Sequence, residues 1–116
     1  MELEKVEDLS RLEEVCESSV LLCLKKRFHR SFIYTYVGHI LICVNPFKPL
    51  SFYSEEVMIQ YQKGMLSRNA PHIFAITEMA YAFSQSSEKE QCIVIRSKEE
   101  FSSNLYILSW ESCIFH

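Results

Sequence analysis

Ile33-Tyr34-Thr35-Tyr36-Val37-Gly38-His39-Ile40-Leu41-Ile42-Cys43-Val44-Asn45-Pro46-Phe47-Lys48 is the stretch that decides the fold. Ile33 to Val37 is dense in β-branched and aromatic residues, Gly38 punctuates it, and Ile40 to Val44 is a continuous apolar run of strand length. That pattern predicts two strands meeting at a tight turn. A strand apolar at consecutive positions has no solvent face, so the second one is expected inside a sheet covered by a layer on each side. Pro46 and Pro49 then forbid regular structure.

Upstream, Ser18 and Ser19 offer N-cap oxygens to a run in which Val20, Leu21, Leu24 and Phe28 fall at helical spacing, so a helix is expected over about residues 19 to 29. The basic cluster Lys25-Lys26-Arg27 with His29 and Arg30 falls at its end, where cations suit the negative pole of the helix dipole, and reads as a solvated face. Met1 to Val15 is acidic with scattered leucines and reads as an irregular or briefly helical lead-in. Downstream, Ser54 followed by Glu55 and Glu56 supplies the cap and acidic first turn of a helix to about Gln62, with Gly64 as its stop. Pro71 suits the first turn of a further helix in which Ile73, Ile76, Ala80 and Phe83 share a face, ending in a polar loop over Ser84 to Gln91. Cys92-Ile93-Val94-Ile95 is a short apolar strand, and beyond Arg96 the pattern switches to Phe101, Leu105 and Leu108 at helical spacing.

The chain has 116 residues, is 48% hydrophobic and 23% charged, and so has the size and composition of one small globular domain rather than a disordered segment. A net charge of -3 gives no electrostatic drive toward nucleic acid or anionic lipid. The five cysteines include no C-x-x-C pair, which predicts an intracellular, reduced protein, and no apolar run reaches the roughly 20 residues that span a bilayer. His29, His39, His72 and His116 lie far apart, so nothing announces a metal site, and Cys43 and Cys92 on apolar strands read as inert packing thiols. Only Gly38 and Gly64 are present, which excludes both the G-x-x-x-x-G-K-[ST] phosphate loop and the G-x-G-x-x-G fingerprint.

Several motifs in order resemble the beginning of a myosin motor head. Val6-Glu7-Asp8-Leu9-Ser10 resembles the family's "DDL" segment, Ile33 to Gly38 its "IYTYSG" strand, and Val44-Asn45-Pro46-Phe47-Lys48 its "INPYK" segment. The likeness continues through Tyr53-Ser54-Glu55-Glu56, Pro71 to Ile76 and Gln91 to Ile95, covering roughly residues 6 to 95. The resemblance implies an α/β fold, a piece of a P-loop NTPase-type motor domain with a few strands and flanking helices. It also implies an unconventional head, since Met1 leaves no room for the β-barrel that precedes muscle-type heads. Residues 1 to 95 are expected to be the motor-like part and 96 to 116 a divergent tail.

In the family the Asn-Pro-x-Lys segment and the tyrosine after it line the adenine side of the nucleotide pocket, which places Asn45, Pro46, Phe47, Lys48 and Tyr53 there. Read from the residues alone, Asn45-Pro46 is a turn ending a strand and Tyr53 is packing. The resemblance further implies ATP with Mg as cofactor, actin as partner and a cytoplasmic, cytoskeleton-associated setting for the intact motor. The family's phosphate loop follows the strand matched by Cys92 to Ile95, where this chain reads Arg96-Ser97-Lys98-Glu99-Glu100. The expectation is therefore a segment with no catalytic residues and no ATPase activity of its own, its strand edges unpaired because that strand lies beside later strands in the family. The alternative is a small interaction module, which binds a chaperone or protein partner through unpaired strands and an apolar tail containing Ser109-Trp110 and Ile114-Phe115-His116.

Overall fold

The computed structural model describes residues 2–62, 70–86, 90–97 and 105–112. Its elements in chain order are α1 (Glu17–His29), β1 (Tyr34–Val37), β2 (Ile40–Val44), α2 (Glu55–Gln62), α3 (Ile73–Ser86), β3 (Gln91–Ser97) and β4 (Leu105–Ser112). The four strands form one sheet in the order β1-β2-β4-β3. Every neighbouring pair is antiparallel.

The β1–β2 hairpin forms as its sequence demands. Val37 pairs with Ile40, and Gly38 takes φ 59°, the left-handed conformation that glycine adopts without a Cβ penalty. On the β2 side facing α1, Ile42 joins Leu9, Leu12, Cys23 and Leu24 in one buried cluster. On the opposite side Leu41 joins Ile33, Tyr34, Ile76 and Leu108 in a second cluster. Leu41 and Ile42, consecutive in sequence, thus point into different cores, and the expectation of a strand covered on both faces is met. The resulting three layers are the lead-in with α1, the sheet, and α3.

The lead-in is more ordered than its composition indicated. Leu9 is 1% exposed, and 3-10 turns at Leu3–Lys5 and Leu9–Arg11 carry the chain across the sheet edge. Asp8 anchors it: its Oδ1 accepts from Ser10 N–H at 2.9 Å and from the Gly38 N–H at 3.1 Å, clamping the lead-in onto the hairpin turn. Tyr36 N–H donates to the Glu7 carbonyl at 2.8 Å, so the free edge of β1 is partly covered.

Helix α1 starts two residues before the expected position. Its N-cap is Cys16, and Ser19 is the third helical residue, with its Oγ accepting from the Cys16 N–H at 3.0 Å. The buried stripe is Val20, Cys23, Leu24 and Arg27 rather than the expected line through Leu21 and Phe28, which are 48% and 37% exposed. The basic cluster is correspondingly split, with Lys25 and Lys26 exposed and Arg27 buried. Ser54 caps α2 through a 3.3 Å bond from the Val57 N–H, and α2 and α3 match their expected positions, although Phe83 at 41% exposure leaves the α3 core face. Gly64 lies outside the described residues.

The largest departure from expectation is the tail. Leu105 to Ser112 is a strand, and it lies between β2 and β3, pairing Leu41 with Leu108 on one side and Ile95 with Leu108 on the other. Leu105-Tyr106-Ile107-Leu108 is itself a continuous apolar run, and a doubly paired central strand satisfies its backbone groups as fully as a helix would. The gap expected beside β3 is filled from within the chain. Phe101, Lys98 and Ile114-Phe115-His116 lie outside the described residues.

Candidate functional site

The turn after β2 is built by Asn45. Its side-chain oxygen accepts from the Phe47 N–H at 2.8 Å, an Asx turn that lets Phe47 adopt φ 53°. Phe47 is 70% exposed, and Lys48 is exposed beside it. Pro46 and Lys48 line a small cavity of about 190 Å³ together with Phe28, His29, Ser31 and Leu50. The structure therefore brings Pro46 and Lys48 to one concavity and presents the Phe47 ring to solvent.

Tyr53 belongs to a different neighbourhood. Its hydroxyl lies 2.7 Å from that of Tyr34, and its ring sits 5.0 Å from Phe52 and 5.2 Å from His72. Burial raises the Tyr34 phenol well above its ordinary range, and its bond to Tyr53 pushes it the same way. Both hydroxyls are thus neutral at physiological pH, one donating to the other. With 43% of Tyr53 exposed, one side of the ring packs on the cluster and the remainder faces solvent.

His72, one of four histidines scattered along the sequence, is the hub of that cluster. It is 4% exposed, and the rings of Tyr34, Tyr61 and Phe74 lie 5.1, 5.3 and 4.3 Å from its own. Its Nδ1 accepts from the Phe74 N–H at 3.0 Å, capping α3. The proton must then be on Nε2, which donates to the Phe52 carbonyl at 2.9 Å. Burial lowers the imidazole below its usual range, against a smaller opposing effect of the Phe52 carbonyl, so the ring is held neutral. A histidine after Pro71 and before an apolar helix start could have been read as a side-chain cap, and that signal is local.

Arg27 is the second group missed. At 3% exposed, its Nε–H donates to Thr35 Oγ1 at 2.9 Å, one terminal nitrogen to the Glu4 carbonyl at 2.8 Å and the other to the Tyr34 carbonyl at 2.9 Å. The guanidinium also lies over the Phe32 ring at 5.1 Å. It joins lead-in, α1 and β1. The i, i+3, i+4, i+7 series Val20, Cys23, Leu24, Arg27 would have placed it on the buried face had the apolar stripe been drawn through Cys23.

Cys43 and Cys92 lie on β2 and β3 as expected, and burial raises the Cys43 thiol, consistent with a packing role. Among the described residues no group of three or more His, Cys, Asp or Glu side chains is arranged to hold a metal ion. No helix of the described residues is long and apolar enough to cross a membrane.

The small α/β fold is consistent with a piece of a motor domain, and comparison with known proteins shows the family. The sequence profile of the myosin head (motor domain) matches residues 6–100. The chain is 47% identical over 95 residues to human unconventional myosin-XVB and 43% identical over 90 residues to human unconventional myosin-XV, covering 82% and 78% of this chain. It is 41% identical over 90 residues to myosin-3 of Candida glabrata, again over 78% of this chain. The chain belongs to the myosin head (motor domain) family. It spans only 3%, 2% and 7% of the lengths of those three relatives.

Proposed function

We propose that this chain is a motor-head segment which keeps the adenine-side surface of a nucleotide site but does not hydrolyse ATP by itself. The observation that carries this reading is the course of β3. In the position where the family resemblance calls for a phosphate-wrapping loop, Arg96 and Ser97 continue the strand and pair with Ile107 and Tyr106 of β4. A strand ladder directs successive amides to opposite edges, whereas a phosphate cradle needs several converging on one point, and with only Gly38 and Gly64 in the chain no other stretch supplies it. The residues present do not fit a Mg-bound triphosphate.

Asn45, Pro46, Phe47, Lys48 and Tyr53 are proposed as the remnant of the adenine side. The exposed Phe47 ring supplies a stacking surface, Lys48 a cation and Asn45 a backbone geometry that keeps Phe47 outward. The actin-based motility and cytoskeletal setting of intact motors belong, in this proposal, to chains that also carry the phosphate and actin-binding parts. The second reading, a protein-interaction role, has in its favour three exposed apolar side chains on and just after α1: Leu21, Leu22 and Phe32 are 48%, 46% and 45% exposed.

Phosphate release from Mg-ATP by the purified chain tests the first reading. The expected result is no turnover above a protein-free control, together with weak saturable shifts of Phe47 and Lys48 resonances on adding adenosine. Catalytic turnover that scales with protein and disappears in a Lys48→Ala variant would overturn it.

A further inference from the structure

A second, larger cavity of about 630 Å³ lies between the lead-in, the end of α1, the entry to β1 and the Pro71-His72 step. Its volume falls in the range of small-molecule sites, and its walls include the rings of Phe32, Tyr34, Phe52 and His72. Arg27 and Arg30 both line it. The three bonds of Arg27 tie lead-in to β1 but use only part of its capacity: a guanidinium carries five N–H groups, and two of them are left over. All three acceptors are neutral oxygens, and among the described residues the guanidinium makes no ion pair. A cation buried to this degree is ordinarily paired.

We infer that this cavity binds a small aromatic carboxylate, its carboxylate taken by the leftover N–H groups of Arg27 with Arg30 beside it, and its ring held against the aromatic wall. The charge of the lining selects the class. Lys5 is already paired with Glu2, and Glu4 and Glu7 stand opposite Arg27 and Arg30, so the site has no surplus positive charge for a phosphate dianion, while a single carboxylate matches the two leftover N–H groups of Arg27. The ring wall disfavours an aliphatic acid of the same charge. Burial also lowers the Arg27 guanidinium, with Glu7 acting in the opposite direction, and an arriving carboxylate would offset that desolvation. This inference is independent of the Asn45–Lys48 surface, which lies outside the lining of this cavity.

The test is a nitrogen-resolved NMR titration of the full chain with sodium benzoate, neutral benzamide and inorganic phosphate in turn. Benzoate is expected to shift the Arg27 Nε–H and the Phe32 and His72 amides saturably, with benzamide weaker by about tenfold for want of the charge-assisted bonds. Phosphate is expected not to saturate the same resonances. Arg30→Gln, at an exposed position, should weaken benzoate several-fold and leave the melting temperature unchanged. Arg27→Lys, if folded by circular dichroism, should remove the preference for benzoate over benzamide; if it does not fold, the benzamide comparison and Arg30→Gln decide. Equal affinity for benzoate and benzamide, shifts confined to other residues, or phosphate binding more tightly than benzoate would each overturn the proposal.

Discussion

The β1–β2 hairpin and the β3–β4 pair are two antiparallel ladders of the same sheet, closed over loops of different length and joined to each other through β2 and β4. The hairpin is closed by Gly38 over two intervening residues and is braced by Asp8, whereas β3 and β4 are joined through seven residues and β4 meets β2 only across sixty or more. The first ladder closes the shortest loop, the β3–β4 ladder a somewhat longer one, and the β2–β4 ladder that joins them carries the largest loop-closure cost. The difference teaches that each hairpin is nearly local, and that the β2–β4 register is what makes them one sheet. Substitutions should therefore damage the two ladders unequally.

The largest effect is expected at Leu41, fully buried and paired with both Tyr36 and Leu108, where the ladders meet. Leu41→Ala should cost about 2–5 kcal/mol and abolish a cooperative urea transition followed by circular dichroism, because it opens a cavity shared by both. A loss confined to β4 amides in hydrogen exchange would break the comparison by showing that the hairpin stands alone. Leu108→Ala, at 5% exposed on β4, should cost less at the hairpin than at β3: amide protection is expected to fall over residues 91–97 while that of residues 34–44 largely persists. Uniform loss of protection would show one cooperative unit.

Asp8→Ala removes the clamp on the hairpin turn, and about 1 kcal/mol is expected from the urea midpoint, as for loss of a capping side chain. Burial pushes the Asp8 carboxyl up, but the bonds from Ser10 and Gly38 outweigh it and leave the carboxyl below its ordinary value. Its contribution is therefore present at neutral pH and is lost only as pH falls below the ordinary carboxylate range.

The smallest effect is the pH response of His72. Because burial lowers its imidazole, the unfolded chain binds the proton more readily than the folded one, so stability is full above the ordinary histidine value of about 6.5 and declines as pH falls below it. His72→Gln should lower stability at pH 7.5 while flattening the profile between pH 7 and 5. An unchanged slope in that variant would assign the acid response elsewhere.

Much of this architecture was legible because its signals are short-range. The β-branched run at Ile33–Val37, the capping serine at Ser54 and Pro71 before Ile73 each act within a few residues, and the motif order from Val6 to Ile95 identified the family. Arg27 was misread because a charged side chain was assigned to solvent by type, when its bonds to Thr35, Glu4 and Tyr34 make burial tolerable. The tail was misread because Leu105 and Leu108 fit helical spacing as well as an apolar strand run, and the choice between them lies with the partners β2 and β3. At the candidate site, the turn at Asn45 was readable from its residue type. The hydroxyl pair of Tyr34 and Tyr53 was not, since nineteen residues separate them.

The central claim is that β4 lies between β2 and β3, which also keeps Arg96 and Ser97 in a ladder rather than a phosphate loop. Cross-strand nuclear Overhauser effects test it most directly. The account predicts backbone contacts from Ile107 to Ile42 on one side and from Ile107 to Arg96 on the other, matching the paired registers. Direct contacts between β2 and β3, or none linking Ile107 to either strand in a chain whose hairpin is folded, would contradict it.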